Sequence, residues 1–288
     1  MHSHSKLSRL LCVMGGALLI CGPAWSAEGE ILQISKSVDF GDAESVKVEV
    51  ELRVGELTLL AVDGTGLNGN FRFSSGHGEP EIDYQVEGRL GVLRITEVDS
   101  NGADRSVDLD GVLEDGFNWN FSDHATIWDI RLGVGQPLVV EVNAGAMAGT
   151  VDIRGLSLQG FMLETDAGDI DLDLRGEWLD NSEVEIDVGV GELELLLPED
   201  MGLALVLESG IGSVDIEGLE KVEGDQMETD GFRMPFGGLE ITSEIGGWFD
   251  RHLGQNGVWT NESYGKSAAN LRLRIKLGLG QLRVRVKD

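Results

Sequence analysis

The sequence predicts an all-β protein built of stacked short β-rungs with glycine turns, solenoid-like or sandwich-like, and three observations predict it. Apolar residues recur at every second position rather than every third or fourth, which is the spacing of strands with one buried and one wet face. Glycine is abundant at 41 residues and proline scarce at 5, so the corners are glycine corners. A glycine turn followed by alternating apolar residues also returns along the chain at intervals near twenty residues. That period is too short for a crossover helix and suits similar units stacked on one another.

The elements follow in chain order. Residues 1–27 read as a signal peptide: Lys6 and Arg9 precede an apolar run from Leu10 to Ile20, Gly22-Pro23 breaks it, and small residues ending at Ala27 supply a cleavage site. Lipidation at Cys21 is the alternative, but Ile20 stands where a small residue is needed. Residues 28–98 form an N-terminal β-module, in which Val46, Val48, Val50, Leu52 and Val54 alternate with polar residues. Residues 99–128 form an acidic connector with closely spaced aromatics, including Trp119. Residues 129–288 form the repeat array, interrupted by an insertion at about 223–262. Its phrases are "AGTVDIRGL" (148–156), "AGDIDLDLRG" (167–176), "VGELELLLP" (190–198), "IGSVDIEGL" (211–219) and "LGQLRVRV" (279–286). From Gly149 the leading glycine steps to Gly168, Gly191 and Gly212, by 19, 23 and 21 residues.

Composition excludes several functions. Both cysteines, Cys12 and Cys21, lie in the signal, so the mature chain has neither disulfides nor thiol chemistry. Cleavage leaves 20 basic residues against 51 acids, a net charge of −31. Such a field repels nucleic acid and anionic lipid and attracts cations and cationic peptides. The same charge would also serve only to keep an exported protein soluble. No later apolar run is long enough to span a membrane.

Motifs that suggest chemistry fail on their spacing. His77, His124 and His252 stand far apart, with no metal-ligand pattern. "DLDG" (108–111) lacks the glutamate of a calcium loop, because Phe117 occupies that position. The Gly-Lys-Ser at 265–267 has Thr260 where a phosphate loop needs glycine. Gly189 and Gly191, two apart, precede a strand and not a helix, so no helix N-terminus is available for phosphate. We expect no catalytic residue, no metal and no cofactor.

The order of these motifs resembles the bacterial toastrack family, domains of unknown function found in cell-envelope stress proteins and in chains catalogued as candidate adhesins. Residues 46–95 resemble its opening module through a Gly-Glu-Leu turn, "LNGNFRF" and "PEIDY". Residues 128–174 resemble its continuation, and "LRLRIKLGLGQLRVRV" (271–286) its closing strand pair. The resemblance implies an extracytoplasmic all-β interaction platform without established catalytic residues. Many such relatives are tethered by membrane helices, and this sequence shows none.

Charge is segregated along the strands. The wet positions of the middle rungs are acidic: Asp169, Asp171 and Asp173, then Glu183, Glu185 and Asp187, then Glu192 and Glu194. The final strands are basic: Arg272, Arg274, Lys276, Arg283, Arg285 and Lys287. Either the basic strands pair beside acidic ones within the monomer, or they form a charged edge that hinders edge pairing or meets another molecule. The leading expectation is a non-enzymatic exported interaction module. It uses the eight acidic residues to bind an envelope component or a cationic peptide or protein, in envelope stress or adhesion. The periplasm comes first as its compartment, with secretion or the outer surface as alternatives. The second expectation is a glycan-binding adhesin using Trp119, Trp248 and Trp259. The third is a solenoid-type enzyme on polysaccharide. Oligomers are expected through the basic C-terminal strands.

Overall fold

The computed structural model describes residues 31–74, 79–98, 126–222 and 255–288. The signal, most of the connector and most of the insertion therefore lie outside the described residues. So do Trp119, Trp248, Cys21 and the three mature-chain histidines. Among the described residues there is no helix. Thirteen strands form one mixed sheet: β1 (Ile31–Val38), β2 (Ser45–Val62), β3 (Leu67–Ser74), β4 (Glu81–Glu87), β5 (Leu90–Thr96), β6 (Thr126–Gly133), β7 (Leu138–Asp152), β8 (Ser157–Asp173), β9 (Glu177–Pro198), β10 (Gly202–Glu217), β11 (Glu220–Lys221), β12 (Gly257–Thr260) and β13 (Asn270–Lys287).

The sheet order is β1-β3-β6-β2-β7-β8-β9-β13-β10-β12-β11, with β5 also on β2 and β4 on β5. The long strands β2, β7, β8, β9, β13 and β10 pair in parallel. Parallel pairing with short connections dictates their shape. β8 has 17 residues and would run roughly 55 Å if straight. Yet Glu177, which opens β9, pairs with Ser157 at the start of β8, and only residues 174–176 connect the strands. Three linking residues reach roughly 14 Å at most, so each long strand must fold back until its ends meet. A rung is thus one bent strand with two arms. The closing "strand pair" of the sequence is likewise the two arms of β13.

The bend is visible in the register. Every long pairing skips one residue per strand, at Arg53, Gly145, Asp166, Gly189, Gly278 and Gly210. Two residues later comes an aligned column of Gly55, Met147, Gly168, Gly191, Gly280 and Gly212. The twenty-residue theme is therefore structural, but its phase differs at one rung. Gly149 aligns with Leu57 and Ile170, and the true counterpart of Gly168 is Met147. Gly191 shows why the column is glycine: it has φ 147°, and a Cβ there would lie 1.7 Å from the Gly168 carbonyl oxygen. No side chain fits such an approach.

The two arms enclose a single apolar core. Val184, Ile186 and Val188 from one arm of β9, and Leu193, Leu195 and Leu197 from the other, are all buried. Their equivalents on β8, β13 and β10 continue the core rung by rung, and Phe71 and Trp128 meet edge to face beneath β3 and β6. The N-terminal strands and the array share this core, because β2 pairs directly with β7.

Candidate functional site

Bending sorts the outward side chains into two faces. On the first-arm face, Glu183, Glu185 and Asp187 of β9 stand beside Arg272, Arg274 and Lys276 of β13. On the second-arm face, Asp169 pairs with Glu192 and Asp171 with Glu194 across β8 and β9, and Glu194 pairs with Arg283 of β13. The eight acidic residues are therefore divided, three on one face and five on the other.

β13 accounts for the charge segregation. It is wedged between β9 and β10, paired along both edges, so it is not an edge strand and offers none for oligomers. The intramolecular alternative is the one realised. Arg272 contacts Glu183 at 2.9 Å, Lys276 contacts Asp187 at 3.6 Å, and Arg283 contacts Glu194 at 3.3 Å. Arg274 contacts Glu208 at 2.7 Å, while Arg285 bridges Asp215 at 2.6 Å and Glu217 at 3.1 Å. Unlike charges face each other across parallel neighbours, and the strand fits between two rungs that would otherwise repel.

Several candidate binding residues consequently serve the fold. Glu183 is buried beneath Arg272. Asp173 is buried too and accepts hydrogen bonds from Arg175, with Arg154 at 3.3 Å. Its neighbour Asp152 is held below its ordinary pKa by the Arg154 side chain, which outweighs partial burial. Asp169, Asp171 and Glu192 remain exposed and lie on adjacent strands. Burial, reinforced by the charges of Glu194 and Asp169, pushes the Asp171 carboxyl above its usual range. Glu185 is half-buried on the other face.

Trp259 is not an exposed sugar platform. It is 7% exposed, because β12 lays it over the end of the core, and Lys221 Nζ sits 4.9 Å from its ring centroid. β12 itself falls within the predicted insertion, where it pairs with β10 and β11.

Two features had no local signal in the sequence. A groove of about 520 Å³ at the bend is lined by Glu51, Arg53, Glu97, Asn143, Glu164 and Asp166. Glu97 is buried there and accepts hydrogen bonds from the Arg53 amide at 2.8 Å and the Thr126 hydroxyl at 3.4 Å. Lys47 is clamped by Glu49 and Glu141, each at 2.8 Å. Burial lowers the pKa of this ammonium, but the two carboxylates outweigh it and the net shift is upward. Both clusters join residues of neighbouring strands that are far apart in sequence, such as Lys47 and Glu141, so local spacing does not announce them. Among the described residues, no group of three His, Cys, Asp or Glu is placed to hold a metal ion.

These features define a class: a folded-back stack of parallel β-rungs whose chemistry lies in charged outer faces. The chain belongs to the toast-rack family, for the model of the N-terminal domain of toast_rack, DUF2154, matches residues 27–196. The fold is shared with a protein from Clostridium sporogenes ATCC 15579 described as a candidate for cell adhesion. That similarity is at 22% identity and TM-score 0.67, covering 90% of this chain and 100% of the other. A candidate adhesin from Bacteroides fragilis NCTC 9343 aligns over 88% of this chain and 97% of the other, at 8% identity and TM-score 0.24, a level that carries no structural argument. No curated protein matches. Among the described residues, no helix is long and apolar enough to cross a membrane.

Proposed function

We propose that the protein is an exported, non-enzymatic interaction module that binds a cationic peptide or protein of the cell envelope through the second-arm face. The observation that carries this reading is the group of exposed carboxylates Asp169, Asp171 and Glu192 on adjacent rungs, left over after β13 has compensated its neighbours. Export is supported by the signal-like first 27 residues, and a surface role by the adhesion-related description of the Clostridium protein. The burial of Trp259 removes one of the three aromatics on which glycan binding depended.

The test is titration of the full chain with a synthetic lysine-rich peptide at low and high salt. Affinity falls steeply as salt screens the charges. The Asp169→Asn, Asp171→Asn, Glu192→Gln triple variant loses most of the low-salt affinity. Glu183 is unsuitable for such a test, because it is a buried partner of Arg272 and its replacement would disturb folding. A peptide affinity that ignores both salt and these three substitutions rejects the proposal.

A further inference from the structure

The stack ends differently on its two arms. On the first arm, Ala204–Leu207 of β10 are covered by β12. On the second, Ile211–Glu217 pair with β13 along one edge and, among the described residues, with no strand along the other. The core is unfinished at the same place. Leu282 and Val284 on β13 are buried, whereas their β10 partners Val214 and Ile216 are half-exposed and Ile211 is 50% exposed. A row of backbone amides and carbonyls without a strand partner among the described residues, over a half-covered apolar layer, is what an added strand completes.

We infer that this edge accepts an extended segment of a partner protein by β-strand addition, the segment carrying Lys or Arg at alternate positions and apolar residues between them. The inference rests on the cation-binding reading above and gives it a second, more specific site. The chemistry of the occupant is already displayed on the opposite edge of the same strand. There β13 sets Arg283 beside Asp215 and Arg285 beside Glu217, with Leu282 and Val284 turned into the core. Asp215 and Glu217 share the single Arg285 guanidinium and stay 58% and 66% exposed, so a net negative charge faces the open side.

Other occupants fit less well. A second copy joined through its own β10 would oppose carboxylate to carboxylate, which is destabilising. Another open edge, β1, keeps Leu32, Ile34, Lys36 and Val38 on the face shared with buried Phe73 and Phe71. Its outer face then presents Ile31, Gln33, Ser35 and Ser37, with no cation. Residues 223–254 of the chain itself hold seven acids against two arginines.

The probe is a synthetic peptide, LGLGQLRVRVK, copying residues 277–287, added to the full chain and followed by anisotropy and by hydrogen exchange. Binding should slow exchange of the alternate amides of Ile211–Glu217 that point away from β13, the others being bonded towards β13 already. Two N-methylated peptides then separate strand pairing from charge alone, one methylated at the positions of Leu282, Val284 and Val286, the other at Gln281, Arg283 and Arg285. Alternate amides point to opposite edges of a strand. One methylated peptide should therefore lose at least about tenfold in affinity, and the other little. Equal effects from both, with the parent peptide still bound, overturn strand addition and leave the charged-face reading standing. No binding at any salt overturns both. Protection, before peptide is added, of those alternate amides of Ile211–Glu217 that point away from β13, in monomer or dimer, shows the edge already occupied and overturns the inference. Asp215→Asn with Glu217→Gln should weaken the parent peptide by about tenfold, because two opposed charge pairs are lost.

Discussion

Glycine at the bend and glycine at a surface turn are constrained by different forces, and alanine separates them. At Gly191 the new Cβ would meet the Gly168 carbonyl at 1.7 Å, so the rungs must part. Gly41, with φ 56°, has nothing within 4 Å and imposes only its backbone preference. Gly191→Ala should cost on the order of 3 kcal/mol or more, and Gly41→Ala about 1 kcal/mol, read as shifts of the urea midpoint. Equal costs would mean that the bend relaxes freely. The residue scale is also where sequence reading is weakest. Asp169 and Asp173 belong to one alternating run, yet one is exposed and the other lies buried against Arg175. Alternation reports the face of a strand and says nothing of which basic side chain folds back over it, here Arg175 from the following link and Arg154 from the preceding rung.

Among the elements, β13 has the largest consequences for stability, and its ion pairs are unequal. The Arg283–Glu194 pair is exposed on both sides, at 48% and 46%, so solvent screens it. Removing Arg283 should cost roughly 0.5 kcal/mol. Arg272 sits over Glu183, whose side chain is 7% exposed. Arg272→Ala should cost about 3 kcal/mol, because a buried carboxylate loses its cation. Urea unfolding of the two variants checks the order, and a larger loss at Arg283 would refute it. The charge of this strand was legible in advance, since "LRLRIK" and "RVRVK" call either for acidic neighbours or for an exposed edge, and the fold realises the first. Its position was not, because local periodicity does not say that residues 270–287 enter between β9 and β10. Gly149 shows the same limit on a smaller scale. Its phrase matches the repeat, but pairing across strands selects Met147 for the column.

At the scale of the whole molecule, a net charge of −29 sets self-repulsion against the ion pairs along β13. The exposed pairs contribute little each, while the repulsion is summed over the entire surface. Salt should therefore stabilise the protein: a melting temperature measured in about 0.5 M NaCl should exceed that in dilute buffer, since the screening length falls to about 4 Å. A lower melting temperature in salt would place the ion pairs above the repulsion. The overall architecture was readable as alternating stacked rungs with glycine corners, and that much needed no long-range information. The insertion of β13 carries a further consequence, for the order of events during synthesis. β9 and β10 are joined by a short link, Glu199–Met201, but they are never neighbours, and the space between them waits for a segment that emerges about seventy residues later. Until that segment is made, the facing edges of β9 and β10 lack the strand that pairs with both in the folded protein, so the last rung can close only after the chain is nearly complete.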